Sequence, residues 1–245
     1  MTKQAPPVGV ITGTGVSEHF DLRRPEVVST RYGKAMAFLQ GDGEYVVLPR
    51  HGPGHTSPPH RINYRANIAA LEHLGVRQVI ATSAVGSMVK AFRVGEIGLA
   101  EQFLDFTRKR QTTFFEDEVV HTDMTHPYSK HLNRELSSAA KRMGVDIRPG
   151  LVYVCAEGPR FETAAEIRMY RVLGGDVVGM TGVPEVVLAN EKKLEYASVL
   201  IATNWAAGMQ PKVTQEEVLK VMKTAGSAVK RLIETTVAAL RRERE

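Results

Sequence analysis

The sequence is poor in cysteine and aromatic residues and contains no long apolar run. Its single cysteine, Cys155, excludes an intrachain disulfide and suits a reducing compartment. No stretch approaches the roughly 20 apolar residues that a transmembrane helix needs, and residues 1–7 lack the apolar segment of a secretory signal. We therefore expect a cytoplasmic protein without a membrane partner.

A large excess of one charge is also lacking. The 32 lysines and arginines are opposed by 27 aspartates and glutamates, which leaves a net charge of +5. Because both signs are spread along the chain and no nucleic-acid-binding motif is present, we expect no nucleic acid partner. The 245 residues are 43% hydrophobic, which is enough for a large core, and we predict one domain over residues 1–245.

Short apolar runs alternate with segments of helical periodicity. The runs that predict buried strands are residues 8–11, 45–48, 78–81, 151–154, 176–178 and 196–202. The predicted helices are residues 63–74, 163–174 and 184–191 and a last helix that begins at residue 214, with capping boxes at Thr163 and Thr214. This alternation predicts an α/β fold, a single-domain α/β/α sandwich with a mostly parallel, twisted central sheet that binds ligands at the carboxyl ends of its strands.

Two segments that follow predicted strands are suited to an anion. In Thr12-Gly-Thr-Gly15, the glycines let backbone N–H groups and the Thr14 hydroxyl approach an oxyanion closely. In Pro49-Arg-His-Gly-Pro-Gly-His55, the guanidinium of Arg50 matches phosphate oxygens, and His51 can add a donor. Each segment alone is also compatible with a tight turn or a basic surface loop.

A third segment, Ala81-Thr-Ser-Ala-Val-Gly-Ser87, ends a predicted strand with small residues. Small side chains allow a substrate to lie against the backbone, and Ser83 offers a hydroxyl, although tight packing would need the same residues. A metal site built from His51, His55 and His60 is the alternative for the histidines. Because no cysteine or carboxylate stands at ligand spacing, the sequence does not favour a metal.

Two further segments are rich in polar residues and glycine, namely Glu157-Gly-Pro-Arg-Phe-Glu-Thr163 and Val178-Gly-Met-Thr-Gly-Val-Pro-Glu185. Both segments resemble the signature of the trimeric purine nucleoside phosphorylase and methylthioadenosine phosphorylase family. The match continues in order through Arg50-His51, Asn63-Tyr-Arg-Ala-Asn67 and Pro184-Glu-Val-Val-Leu-Ala189. The resemblance implies that inorganic phosphate attacks the ribosyl C1′ and that the purine leaves, with ribose 1-phosphate as the second product and no metal or organic cofactor.

The resemblance also implies roles for individual residues. The phosphate positions are Thr14, Arg50, His51, Ser83, Ala84 and Thr181. The positions that contact the nucleoside are Phe161, Glu162, Met180, Asn204 and Ala206, with Phe161 stacked on the purine and Met180 against the ribose. Arg50, His51 and Asn204 are implied to be catalytic, because the reaction needs a fixed phosphate and a stabilised leaving base.

Glu162 and Asn204 indicate which purine base the protein binds. A 6-oxopurine presents an N1–H donor and an O6 acceptor, which a carboxylate and an amide complement, whereas adenine presents the opposite pattern at these atoms. The methylthioadenosine branch of the family carries a small hydroxyl residue at the position of Glu162 and two aspartates near Asn204. This chain has Thr203-Asn-Trp-Ala206 there, without either aspartate. We therefore predict hypoxanthine or guanine rather than adenine, because mismatched buried polar groups discriminate strongly.

The 5′ end of the nucleoside is left open by the sequence. The family has a histidine at the start of the last helix where it binds a 5′-hydroxyl and an aliphatic residue where it binds a methylthio group. This chain has Gln215, which matches neither. His121 matches a residue that the neighbouring subunit contributes on the methylthio side. Inosine and guanosine are the favoured substrates, with methylthioinosine, and behind it methylthioadenosine, as the alternatives.

Two other functions compete with phosphorolysis. A hydrolytic nucleosidase could use the same base contacts, but Thr14, Arg50, Ser83 and Thr181 suit an oxyanion rather than water. A non-enzymatic purine sensor would need an output domain, for which the sequence leaves no residues. The family relation implies a homotrimer, and His121 in the loop of residues 114–128 would then complete a neighbour's site.

Overall fold

The computed structural model describes residues 6–243 of the chain. The strands are β1 (Val8–Thr12), β2 (Glu26–Thr30), β3 (Gly33–Gln40), β4 (Tyr45–Pro49), β5 (Gln78–Ser87), β6 (Ile97–Phe106), β7 (Ile147–Ala156), β8 (Val177–Gly179) and β9 (Glu195–Trp205). The helices are α1 (Tyr64–His73), α2 (Lys130–Met143), α3 (Ala164–Val172), α4 (Gly182–Glu191) and α5 (Gln215–Arg242). The last two residues of the predicted C-terminal helix, 244 and 245, lie outside the described residues.

The strands form one mixed sheet in the order β2-β3-β4-β1-β5-β8-β7-β6-β9. β5 pairs with β9 as well, so that β5, β8, β7, β6 and β9 close into a ring. The pairs β1–β4, β1–β5, β5–β9, β6–β7 and β7–β8 are parallel. The pairs β2–β3, β3–β4, β5–β8 and β6–β9 are antiparallel. The predicted α/β class is confirmed, with a sheet that is part open and part closed.

Helices cover the open part of the sheet on both faces. Successive residues of β1 point to opposite faces, as the period of a strand requires. Val10 belongs to the buried cluster that includes residues of α2 and α5, and Ile11 to the cluster that includes residues of α1 and α4. β1 is therefore buried on both sides, which is typical of a central parallel strand.

The six predicted strands and four predicted helices are present, while β2, β3, β6 and α2 are additional. Within α4, Val183 has an extended backbone (φ −119°, ψ 132°), so the regular helical turns begin at Pro184, as the sequence indicated. Among the described residues, no helix combines the length and the apolar character that a membrane crossing requires.

One of the two predicted capping boxes forms completely. The Thr163 hydroxyl accepts from the Glu166 N–H at 3.1 Å, and the Glu166 carboxylate accepts from the Thr163 N–H at 2.7 Å. At the start of α5 the hydroxyl of Thr214 accepts from the Glu217 N–H, but the Glu217 carboxylate accepts from Gln210 instead. Since Gln210 also accepts from the Trp205 N–H, it ties the end of β9 to the start of α5.

Candidate active site

A cavity of about 410 Å³ lies where β1, β4, β5, β7, β8 and β9 end. The parallel strands β1, β4, β5 and β9 bring their carboxyl ends to one edge, which is where ligands bind in α/β proteins. β7 and β8 approach the cavity from the opposite direction, because β8 is antiparallel to β5. The structure brings together eleven of the residues singled out in the sequence, namely Thr14, Arg50, His51, Ser83, Ala84, Phe161, Glu162, Met180, Thr181, Asn204 and Gln215. Ala206 and His121 do not line it.

Arg50 is fixed at the floor of the cavity by a buried ion pair. Its Nε and Nη2 each donate to one carboxylate oxygen of Glu185 at 2.7 Å, and its Nη1 donates to the Thr82 carbonyl at 2.7 Å. Neither side chain of the pair is exposed to solvent. The edge of the guanidinium formed by Nε and Nη2 is thus occupied by Glu185, whereas the sequence analysis expected the guanidinium to bind phosphate. Two of the five guanidinium hydrogens, one on each η nitrogen, are left for a ligand.

Glu185 was not predicted as a site residue, although a signal exists. It stands in the apolar stretch Val183–Ala189, and a carboxylate is almost never fully buried unless it is paired. The Tyr196 hydroxyl also donates to it at 2.7 Å. The guanidinium of Arg50 is therefore both neutralised and held in one orientation.

Ser83 adds a donor without a partner. Its side chain is 2% exposed, and its Oγ has no hydrogen-bond partner among the described residues. A buried hydroxyl left unsatisfied costs about 1–3 kcal/mol. Close by, a Cβ on Gly13 would lie 2.7 Å from the Thr82 carbonyl oxygen and 3.0 Å from Nη1 of Arg50. Glycine is therefore required where this loop approaches Arg50.

His51 is held by the loop that it begins. Its Nδ1 lies 2.8 Å from the Ser57 carbonyl oxygen, and its ring stacks on that of His55 with 4.0 Å between centroids. Burial lowers the pKa of His51 to about 4, since the Ser57 contact only partly offsets the loss of water. The imidazole is therefore neutral at pH 7.

Tyr153 shapes the wall that carries Met180 and Thr181. The backbone N–H groups of Thr181 and Gly182 donate to its hydroxyl at 3.1 and 3.2 Å. A Cβ on Gly179 would lie 2.6 Å from that hydroxyl oxygen. The turn after β8 therefore wraps around one buried phenol, which sets the position of Thr181 in the cavity. No sequence pattern indicated this role for Tyr153.

Arg110 connects the two segments that line the nucleoside side. Its side chain is 1% exposed and donates to the carbonyl oxygens of Glu157 and Met180, both at 2.8 Å. It also donates to the carbonyl of Val183 and to the hydroxyl of Tyr64. Since it lies in a loop among other basic residues, the sequence gave no sign of this role. We interpret Arg110 as a positioning residue for the cavity wall.

The purine end of the cavity carries Phe161, Glu162 and Asn204. Phe161 is 39% exposed and lines the cavity, so its ring is available for stacking on a purine. Burial raises the pKa of the Glu162 carboxyl. Oδ1 of Asn204 accepts from the Thr203 hydroxyl at 2.9 Å, and its Nδ2 donates to the Trp205 carbonyl at 2.9 Å. One N–H and one lone pair of the amide remain for a ligand.

Three residues from the sequence analysis lie at or beyond the edge of this cavity. Gln215 is exposed at its mouth, one helical turn before Val218, which also lines it. Ala206 is buried behind the wall, where its N–H donates to the Ser87 carbonyl, so that it supports the wall rather than lining it. His121 is exposed and does not line the cavity of its own chain.

Comparison with known proteins decides the family. A family model described as Phosphorylase superfamily matches residues 7–238. The chain belongs to this superfamily. It is 45% identical to the 6-oxopurine nucleoside phosphorylase of Pyrococcus furiosus, over 98% of this chain and 95% of that protein.

Other relatives differ in their named activities. The chain is 45% identical to a probable S-methyl-5′-thioinosine phosphorylase of Methanothermobacter thermautotrophicus, over 96% of this chain and 85% of that protein. Its structure is similar to that of methylthioadenosine phosphorylase from Schistosoma mansoni in complex with adenine, with a TM-score of 0.88 and 31% identity, covering 96% and 91% of the two chains. These matches confirm the family resemblance found in the sequence and the enzyme class, a pentosyltransferase.

Proposed function

We propose that the protein catalyses the phosphorolysis of 6-oxopurine nucleosides, inosine and guanosine, to the free purine and ribose 1-phosphate. The observation that carries this proposal is that the Glu162 carboxylate and the Asn204 amide line the same cavity as the residues assigned to phosphate. The carboxylate accepts from the purine N1–H, and the free N–H of Asn204 donates toward O6 or N7. The name of the relative from Pyrococcus furiosus supports the same substrate class.

Phosphate is proposed to lie over the floor of the cavity. The two free N–H groups of Arg50 and the unpartnered hydroxyl of Ser83 are donors for it, together with Thr14 and Thr181. A phosphate oxygen attacks C1′ while the C1′–N9 bond breaks. Charge then accumulates on the purine, where the hydrogen bond from Asn204 strengthens and stabilises the leaving group.

The 5′ substituent is the second question at the same site. Gln215 can donate to a 5′-hydroxyl, which favours ordinary nucleosides. Val218, Pro58 and Pro59 line the cavity as well, and this apolar surface favours a 5′-methylthio group. Methylthioinosine is therefore the second candidate substrate, in keeping with the name of the relative from Methanothermobacter thermautotrophicus.

The assembly and requirements of the enzyme are part of the proposal. We place it in the cytoplasm as a homotrimer, in which His121 of the exposed loop reaches a neighbouring cavity. Phosphate is the co-substrate, and no metal or organic cofactor is required. Dialysis against a chelator should therefore leave kcat/KM unchanged, and a sedimentation experiment that finds only active monomers would contradict the shared site.

The deciding experiment measures base release from five nucleosides with and without phosphate: inosine, guanosine, adenosine, methylthioinosine and methylthioadenosine. We expect phosphate-dependent turnover of the three 6-oxo substrates, and kcat/KM values for the two adenine nucleosides at least about a hundredfold lower. Turnover without phosphate would indicate a hydrolase. A preference for adenine nucleosides would show that the assignment of Glu162 and Asn204 is wrong.

A further inference from the structure

The direction of one hydrogen bond determines what His51 offers to a ligand. Its Nδ1 lies 2.8 Å from the carbonyl oxygen of Ser57. A carbonyl oxygen carries no hydrogen, so Nδ1 must be the donor. In a neutral imidazole the other nitrogen then carries a lone pair and no hydrogen. Nε2 of His51 can therefore accept a hydrogen bond but cannot donate one, contrary to the donor role suggested by the sequence.

The groups around His51 keep the imidazole neutral. The ring is 5% exposed, it follows the buried guanidinium of Arg50, and it stacks on His55. Burial, and then the charges of Arg50 and His55, lower the pKa of His51. The charge of Glu18 acts on His55, whose own pKa burial lowers. Protonating His51 would thus place a second positive charge beside Arg50 in a site with little water.

We propose that His51 distinguishes oxyanions by whether they carry a proton. Its Nε2 accepts a hydrogen bond from the P–OH group of hydrogen phosphate, and oxyanions without a proton bind more weakly. This inference rests on the proposed phosphate site. Arg50 and Ser83 supply donors to the unprotonated oxygens, which any oxyanion can use. His51 supplies the acceptor that only a protonated oxyanion can use. Sulfate, with the same charge and tetrahedral shape as hydrogen phosphate, would direct an oxygen at the Nε2 lone pair.

The same contact accounts for a proton in the proposed reaction. Hydrogen phosphate brings one proton, which the dianion of ribose 1-phosphate does not keep. As the bond between the phosphate oxygen and C1′ forms and the C1′–N9 bond breaks, the electron pair of that bond stays on the purine. The P–OH proton stays hydrogen-bonded to Nε2 of His51 during the attack and passes to solvent when ribose 1-phosphate is released, and the purine anion takes up one proton. No proton is gained or lost overall.

Binding of phosphate and sulfate to the nucleoside-free enzyme tests this proposal. Isothermal titration calorimetry at pH 8 should show phosphate binding at least about tenfold more tightly than sulfate, because sulfate leaves a buried acceptor facing an anion. Repeating the titration in two buffers of different ionisation enthalpy should show no proton uptake with phosphate. Proton uptake approaching one per site would mean that His51 binds phosphate as a cation, and would overturn the proposal.

Two variants assign the discrimination to His51. In His51→Gln the side-chain amide can turn either its oxygen or its N–H toward the anion, so the preference for phosphate over sulfate should fall to about threefold or less. His60→Gln changes an exposed histidine that does not line the cavity and should keep the wild-type ratio. Equal affinities for the two anions in the wild-type enzyme would refute the proposed role of His51 but not the proposed phosphate site. If neither anion bound, the proposed phosphate site itself would be wrong.

Discussion

The buried pair of Arg50 and Glu185 makes the most specific prediction. Two hydrogen bonds of 2.7 Å join side chains that are both fully buried, and the Tyr196 hydroxyl completes the carboxylate. In Glu185→Ala the guanidinium loses its counter-charge while it stays out of water. Removing one partner of a buried ion pair costs about 3–5 kcal/mol. At roughly 2–4 °C per kcal/mol for a chain of this size, the melting temperature should fall by about 6–20 °C.

The effect on phosphate separates the role of Glu185 in the site from its role in stability. Glu185→Gln keeps the shape of the side chain, but its amide N–H groups meet a guanidinium nitrogen that also donates. The guanidinium then loses its fixed orientation, and the KM for phosphate should rise by at least about tenfold, a loss of about 1.4 kcal/mol. The KM for the nucleoside should change much less, because Glu185 does not line the cavity.

The double variant Arg50→Met with Glu185→Leu is the matched control. Replacing a whole buried ion pair by apolar residues of similar volume is often neutral for stability. We therefore expect the double variant to melt near the wild-type temperature in differential scanning calorimetry, without detectable phosphate-dependent turnover. If Glu185→Gln kept both the wild-type melting temperature and the wild-type KM for phosphate, the ion pair would not hold Arg50 in place.

The remaining predictions concern the other sides of the cavity. Glu162→Ala should remove most turnover of inosine with the fold intact by circular dichroism; an unchanged ratio of kcat/KM for inosine over adenosine would contradict its assignment. Because burial raises the pKa of Glu162, the wild-type kcat/KM for inosine should fall as the pH drops through that raised value, where the acceptor becomes protonated, and this limb should be absent in Glu162→Gln. Ser83→Ala should raise the KM for phosphate by about three- to tenfold, the value of one hydrogen bond, with the nucleoside KM unaffected. Arg110→Met should raise the nucleoside KM by at least about tenfold and more than the phosphate KM, with partial recovery in Arg110→Lys or on addition of guanidinium ion; equal effects on both substrates would mean general destabilisation.

The sequence alone predicts those strands and helices whose hydrophobic pattern is strong. Strands such as β1 and β4 consist almost entirely of apolar residues and glycine, a pattern that the sequence alone reveals. The hairpin of β2 and β3 was missed, because it lies at the outer side of the sheet and mixes polar with apolar residues. Helix α2 could have been found, since Leu132, Leu136 and Ala139 follow a helical period between a Ser129 N-cap and Gly144.

Some residues of the candidate site could likewise be predicted from the sequence, and others could not. Arg50 directly follows β4 and could be predicted because the fold class places strand ends together, whereas Ser83 lies inside β5, which extends beyond the predicted run of residues 78–81. Glu185, Tyr153 and Arg110 act through partners between 11 and 135 positions away in the chain. Their roles depend on three-dimensional contacts that one sequence does not reveal. The tautomer of His51 likewise depends on the placement of one carbonyl group.

The closed ring of strands limits where another molecule could add a strand to the sheet. This ring is formed by β5, β8, β7, β6 and β9. A β9 that pairs with both β5 and β6 is not an edge, so within residues 6–243 only β2 has a hydrogen-bonded strand on one side alone. Exposed edges are where β proteins add strands from other molecules and aggregate. In the described part of the chain the sheet therefore has a single edge strand, and this short strand begins with the exposed, charged Glu26.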